Sequence, residues 1–131
     1  MSADATVPAS AILSVLKDYF DALYEGDADK FARVLHPAAR LFCATGETTV
    51  IMDVPEYLAI VRGRESPASR GDRRRDEVVS LEIPTPTTAH ARVQELFLPK
   101  RFTDELTLIL TNGEWKIVSK VWHFELECSD A

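Results

Sequence analysis

The stretch FTDELTLILTNGEWKIVSKVWHFE, residues 102–125, reads as two alternating runs joined by Asn112-Gly113. Asn-Gly between such runs is the strongest short hairpin signal, because a tight turn needs positive φ at both central residues and these two tolerate it. A two-residue loop sets Thr111 opposite Glu114 and, further out, Thr107 opposite Val118, Glu105 opposite Lys120 and Thr103 opposite Trp122. One face of the predicted hairpin then carries Thr103, Glu105, Thr107, Lys120, Trp122 and Phe124. The other carries Asp104, Leu106, Leu108, Leu110, Ile117 and His123. Both faces are too apolar to be wet, so both are expected to be covered. A lysine in such a hairpin carries no message if it faces solvent; facing a cavity, it is a candidate for chemistry.

Upstream of the hairpin, residues 77–83 and 88–98 alternate as strands, separated by PTPT and followed by Pro99-Lys100. The segment RGRESPASRGDRRRDE, 62–77, has no apolar periodicity and holds six arginines, so it reads as a loop. Before it the pattern is helical. Ile12, Leu16, Tyr19 and Leu23 recur at helical spacing after Ser10, Gly26 ends that helix, and Asp27 caps a second, shorter one that Pro37 stops. Residues 38–52 predict a strand, a turn and a short second strand. Asp53 with Glu56 forms a capping-box pattern before a third helix whose buried side is Tyr57, Leu58 and Val61. Helices first and a meander afterwards predict an α+β domain over 10–131, with the helices packed on one face of a curved antiparallel sheet, after a disordered tail at 1–9.

Composition narrows the function classes. A chain of 131 residues builds one core. Its net charge of −6 argues against nucleic acid or an anionic membrane surface as partners. Cys43 and Cys128 lack disulfide-framework or zinc spacing and read as free thiols of a cytoplasmic protein. MSADATVPAS lacks the basic residues and apolar run of a signal peptide or membrane anchor. His36, His90 and His123 have no metal-ligand spacing, and no glycine-rich phosphate loop or dinucleotide fingerprint occurs, so neither metal nor cofactor is expected.

The segments DYFDALYEGDADKFARVLHPAARL (18–41), PEYLAIV (55–61), AHARVQELF (89–97) and FTDELTLILTNGEWKIVSKVWH (102–123) together resemble the nuclear transport factor 2-like superfamily. That superfamily includes ketosteroid isomerases, scytalone dehydratase and SnoaL-like polyketide cyclases; within it, the chain is most similar to the putative lumazine-binding branch. The resemblance implies a cystatin-like cone that buries a small organic molecule between the helices and the concave sheet face, and a homodimer formed through the outer face. It does not make lumazine the ligand. Periodicity alone assigns the leucine-rich face of the hairpin to the core. The resemblance instead points Val118, Lys120 and Trp122 inward, which would leave the leucine-rich face to a second subunit.

On the inward assignment, Tyr19, Glu95, Glu105, Thr107, Lys120 and Trp122 are the candidate ligand-binding residues, with Tyr19, Glu95 and Lys120 as catalytic candidates. Glu95 is the lone carboxylate on the face it shares with Ala89, Ala91, Val93 and Phe97. Desolvation beside an ammonium is how a carboxylate becomes a general base near neutral pH, while the bland alternative is an internal ion pair in the pocket wall. Tyr19 matches the position of the ketosteroid isomerase oxyanion tyrosine, although a tyrosine on an apolar stripe is more often packing. The other isomerase positions fall near Ala44 and Thr107, and the cyclase acid near Lys120, so neither mechanism transfers intact. Trp122 offers a flat ligand a wall or merely fills a core. Ser119, His123 and Asp104 share a face, but mid-strand Ser119 is no nucleophile elbow. The expected function is small-molecule binding in a mostly apolar pocket, with cofactor-independent isomerase, cyclase or dehydratase-type chemistry as its enzymatic form. The alternative is a non-catalytic dimerisation or adaptor module.

Overall fold

Apolar residues at helical spacing form α1 (Ala9–Glu25), which buries Ile12, Leu16, Tyr19, Phe20, Ala22 and Leu23. The computed structural model describes residues 9–127; the expected tail, apart from Ala9, and Cys128 lie outside the described residues. Gly26 ends α1 at φ +69°, and a Cβ there would meet the Ser66 Cβ at 2.9 Å, so both conformation and close approach require glycine. Asp27 caps α2 (Ala28–Val34) by accepting from the Lys30 amide at 3.0 Å. That helix stops before Pro37 is reached, because the residue preceding a proline is driven out of the helical region and His36 already belongs to a strand.

The strands are β1 (Leu35–Cys43), β2 (Val50–Asp53), β3 (Asp76–Thr85), β4 (Thr88–Phe97), β5 (Lys100–Thr111) and β6 (Glu114–Leu126), with α3 (Val54–Gly63) between β2 and β3. The Asp53 and Glu56 side chains complete the capping box at the start of α3, each accepting from the other's backbone amide. The sheet has six strands in the order β2-β1-β6-β5-β4-β3. It is a curved, unclosed sheet with the helices on its inner face, an α+β arrangement of cystatin-like type. One expectation is corrected: the sheet is mixed, because β1 pairs with β6 in parallel while every other neighbouring pair is antiparallel.

The hairpin register carries the main finding. From the turn, Thr111 pairs with Glu114 and Leu108 with Ile117, as a two-residue Asn-Gly loop requires. Asn112 and Gly113 sit at φ +52° and +78°. Then the register slips: Thr107 pairs with Ser119, Leu106 with Lys120 and Asp104 with Trp122. Val118 is the extra residue of a β-bulge, and a one-residue slip exchanges the faces of everything beyond it. The leucine-rich side of β5 and the lysine-bearing half of β6 therefore share the inner face. Periodicity was a sound guide for β5, and the resemblance for the far half of β6.

Two expected site residues move as a result. Glu105 pairs with Arg92 and Val121, and Thr107 with His90 and Ser119, both on the outer face. The leucine-rich face is not left for a second subunit: Leu106, Leu108 and Ile117 are fully buried within the chain, packed with Ile12, Leu16 and Phe31. Each such side chain contributes about 1.5–3 kcal/mol by leaving water. Beyond a turn containing cis Leu98–Pro99, Glu95 pairs with Phe102 and Val93 with Asp104. Glu95 and Glu105 thus point to opposite sides of the sheet, and the cluster expected between them does not form.

Candidate functional site

Lys120 projects from the far half of β6 into the space between sheet and helices and is 6% exposed. Its ammonium lies 5.0 Å from the Tyr57 ring centroid on α3, 5.3 Å from Tyr19 on α1 and 5.3 Å from Trp122 on its own strand. Three ring faces around one cation replace part of its lost hydration through the quadrupoles of the rings. Behind them, the Tyr19 hydroxyl donates to Asp104 Oδ2 at 2.6 Å. Phe31 stands edge-on to both Tyr19 and Tyr57 and fixes their orientation.

Asp104 is 0% and Glu95 1% exposed, and they occupy diagonal positions of the β4–β5 ladder on the inner face. Both Glu95 oxygens and Asp104 Oδ1 are buried without a hydrogen-bond partner among the described residues. Burial, and secondly the Asp104 charge, push Glu95 well above the ordinary carboxylate range. A protonated Glu95 has an O–H to donate, which relieves part of that deficit. Burial and the two carboxyls likewise hold the Tyr19 hydroxyl protonated, well above the usual phenol value. Burial pulls Lys120 down, but Tyr57, Asp104 and Glu95 together outweigh it and the amine is raised from its ordinary value. The cluster sets the Lys120 amine among three rings, with Asp104, Glu95 and the Tyr19 hydroxyl buried beside it.

Beside Lys120 lies a cavity of about 200 Å³. Leu23, Met52 and Ile60 give it apolar walls, Tyr57, Phe102 and Trp122 aromatic ones. Arg64 and Lys100 complete the lining. Tyr19, Glu95 and Asp104 are not on the wall; of the buried cluster, Lys120 reaches it. The Tyr57 hydroxyl and the Arg64 Nη2 are buried and unpartnered among the described residues. The Arg64 guanidinium stacks over Phe97 at 4.5 Å, and the Lys100 amine over Phe124 at 4.3 Å. A larger space of about 460 Å³ between α1 and β3 is an open furrow whose charged residues, Lys17, Asp21, Arg74 and Asp76, already pair with one another.

The remaining candidates lie elsewhere. Glu105 accepts from Arg92 Nε at 2.7 Å and lies 2.9 Å from His90 Nε2 on the outer face. Partial burial works against its charge, but those two bonds prevail and hold its carboxyl below the ordinary range. The Ser119, His123 and Asp104 grouping is dispersed: Asp104 points inward, whereas His123 is exposed and bonds Thr45 Oγ1 at 2.8 Å. The arginine segment is tied down by ion pairs, Arg74 to Asp21 and Asp76, Arg73 and Arg75 to Glu127. Among the described residues no three His, Cys, Asp or Glu side chains gather as a metal site would require.

Sequence reasoning missed Asp104, Tyr57, Arg64 and Lys100. Asp104 had a signal, a lone acid in a ladder of leucines. Tyr57 was read as helix packing, and the register slip that brings it against Lys120 leaves no mark in β6 composition. Arg64 sits in a loop and Lys100 at the start of β5, where charge is ordinarily solvated.

A family model described as putative lumazine-binding matches residues 8–123. An NTF2-like protein of unknown function from Methylobacillus flagellatus is 25% identical, with 95% of each chain covered and a TM-score of 0.77. One from Shewanella baltica is 21% identical, with 89% of this chain and 93% of that chain covered and a TM-score of 0.80. A ketosteroid isomerase-like protein from Erwinia carotovora atroseptica is 12% identical over 88% of this chain and 94% of that one, with a TM-score of 0.66. At such identity that last likeness is one of fold alone. No curated protein matches the chain.

Proposed function

The chain belongs to the putative lumazine-binding family, and on that premise we propose that it binds a small ring-bearing organic molecule in the cavity beside Lys120. The observation that carries this reading is a partly open space of about 200 Å³ with three aromatic rings on its wall and an unpartnered Tyr57 hydroxyl at its edge. That is far more than one water needs and small beside a drug-sized pocket. Apolar walls with a few convergent polar groups are what binding sites share.

The chemistry that suits the site is cofactor-independent proton transfer of the isomerase, cyclase or dehydratase type. Lys120 would stabilise negative charge developing on the ligand, and Tyr57, Asp104 and Glu95 hold its amine above its ordinary value against burial. Tyr19 and Glu95 then act as positioning residues, because the Tyr19 hydroxyl is committed to Asp104 and neither side chain reaches the cavity. A thermal-shift screen of flat one- and two-ring compounds tests the binding itself. A ligand at a hundredfold excess over its Kd should stabilise the fold by about 2.7 kcal/mol, a shift of several degrees. Met52→Trp, which fills the space, should abolish the shift. An empty screen, or shifts that persist in Met52→Trp, would remove the cavity from consideration.

The protein is further proposed to be cytoplasmic, without nucleic acid or membrane partners, and to form a homodimer through the outer sheet face. Among the described residues no helix is long and apolar enough to cross a membrane. Val121, 45% exposed, stands on that face beside a shallow depression lined by Thr103, Glu105 and His123. Light scattering at micromolar concentration should give twice the chain mass, and Val121→Lys should return it to the mass of one chain. A monomeric parent excludes the dimer. A dimer that shifts with no compound in the screen would favour the alternative, a non-catalytic dimerisation or adaptor module.

A further inference from the structure

The cavity wall is unbalanced in charge. It holds Arg64, Lys100 and Lys120 and no aspartate or glutamate. None of these three forms an ion pair within 4.0 Å among the described residues, whereas most of the other arginines do. Asp104, which is buried near Lys120, is not on the cavity wall. Two donors at the wall are also unused: the Tyr57 hydroxyl, on a residue only 4% exposed, and the Arg64 Nη2. Buried donors left without acceptors cost the fold free energy, which an incoming acceptor recovers.

The acceptor these groups share is an anion. A guanidinium stacked on an aromatic ring presents its N–H edge in the plane of the fork, the geometry that a carboxylate meets with two parallel hydrogen bonds. A charged amine and a phenol beside it suit the same group or a second oxygen on the ligand. The rest of the lining, Phe102 and Trp122 with Met52 and Ile60, suits an apolar ring and carries no carboxylate to pair with a cationic ligand.

Building on the cavity reading, we infer that the ligand is a planar organic acid, a ring bearing a carboxylate, with Arg64, Lys100, Lys120 and the Tyr57 hydroxyl as its anion-recognising groups. The acid end lies toward Arg64 and Lys120 and the ring lies on Phe102 and Trp122.

Matched acids and amides test this, because they differ in charge and hardly in shape. Titration calorimetry compares 2-naphthoate with 2-naphthamide and benzoate with benzamide on the wild-type chain at two salt concentrations. The acid of each pair is expected to bind roughly tenfold to a hundredfold tighter, with a preference that shrinks as salt rises. Arg64→Gln should remove most of the preference by weakening the acid and leaving the amide unchanged. Circular dichroism establishes that this variant is folded, and the acid-to-amide ratio in the wild type needs no variant at all. Equal binding, or tighter binding of the amides, overturns the anionic ligand while leaving the cavity as a binding site. Failure of acids, amides and neutral ring compounds alike overturns both.

Discussion

Asp104→Ala is expected to cost the fold about 2–3 kcal/mol, measured by urea denaturation at neutral pH. The carboxylate is 0% exposed, accepts the Tyr19 hydroxyl at 2.6 Å and faces the charge of Lys120. Its removal orphans the phenol and takes away one of the groups that raise the Lys120 amine. An exposed ion pair provides the contrast. Glu105 has two hydrogen bonds, from Arg92 and His90, but its side chain is 34% exposed on the outer face, so Glu105→Ala should cost no more than about 1 kcal/mol. Asp104→Asn, which keeps the shape and one acceptor oxygen, should fall between the two. Equal losses for Asp104→Ala and Glu105→Ala would mean that water reaches the inner cluster.

The second large effect is in the pH dependence of Glu95→Gln. Burial, with Asp104 next, raises the folded pKa of Glu95 well above its unfolded value. Below the unfolded value, about 4.3, both states hold the proton and the group's stabilisation is fully present. As pH rises, the unfolded chain ionises first while the folded one keeps its proton, so stability is lost until the folded carboxyl also ionises. Glutamine has no proton to lose. The variant should therefore gain on the wild type by about 1.4 kcal/mol per pH unit above roughly pH 4.5, up to the folded pKa. Paired urea titrations across this range measure the difference, in which titrations common to both chains cancel. A difference that stays flat with pH would show that Glu95 titrates as an ordinary surface carboxylate.

The fold was legible because its determinants are local. The helical stripe of Ile12, Leu16, Tyr19 and Leu23, the caps at Asp27 and Asp53 and the Asn112-Gly113 turn each act within a few residues, and each produced the element expected of it. Pairing of β1 with β6 was less visible, since a parallel partner nearly eighty residues distant leaves no short-range pattern. The site was legible in part. Lys120, Glu95 and Tyr19 were singled out and all three are buried together at the inner face. Glu105 and Thr107 were assigned with them because alternation was carried unbroken through position 118. Asp104 was lost for the same reason, as the correct face for β5 and the correct face for distal β6 looked mutually exclusive.

The irregularity at Val118 also bears on how the chain is compared with others. It divides the last strand into a proximal part phased by its turn and a distal part phased independently. A relative aligned from the turn without a gap, but lacking the additional residue, would have its interior positions matched to Ser119 and Val121 here instead of Lys120 and Trp122. Catalytic or binding assignments carried along such an alignment would name residues from the wrong side of the molecule. Correspondence downstream of this point has to be drawn from superposed backbones, and an insertion or deletion there is a change of site composition even when every flanking residue is retained.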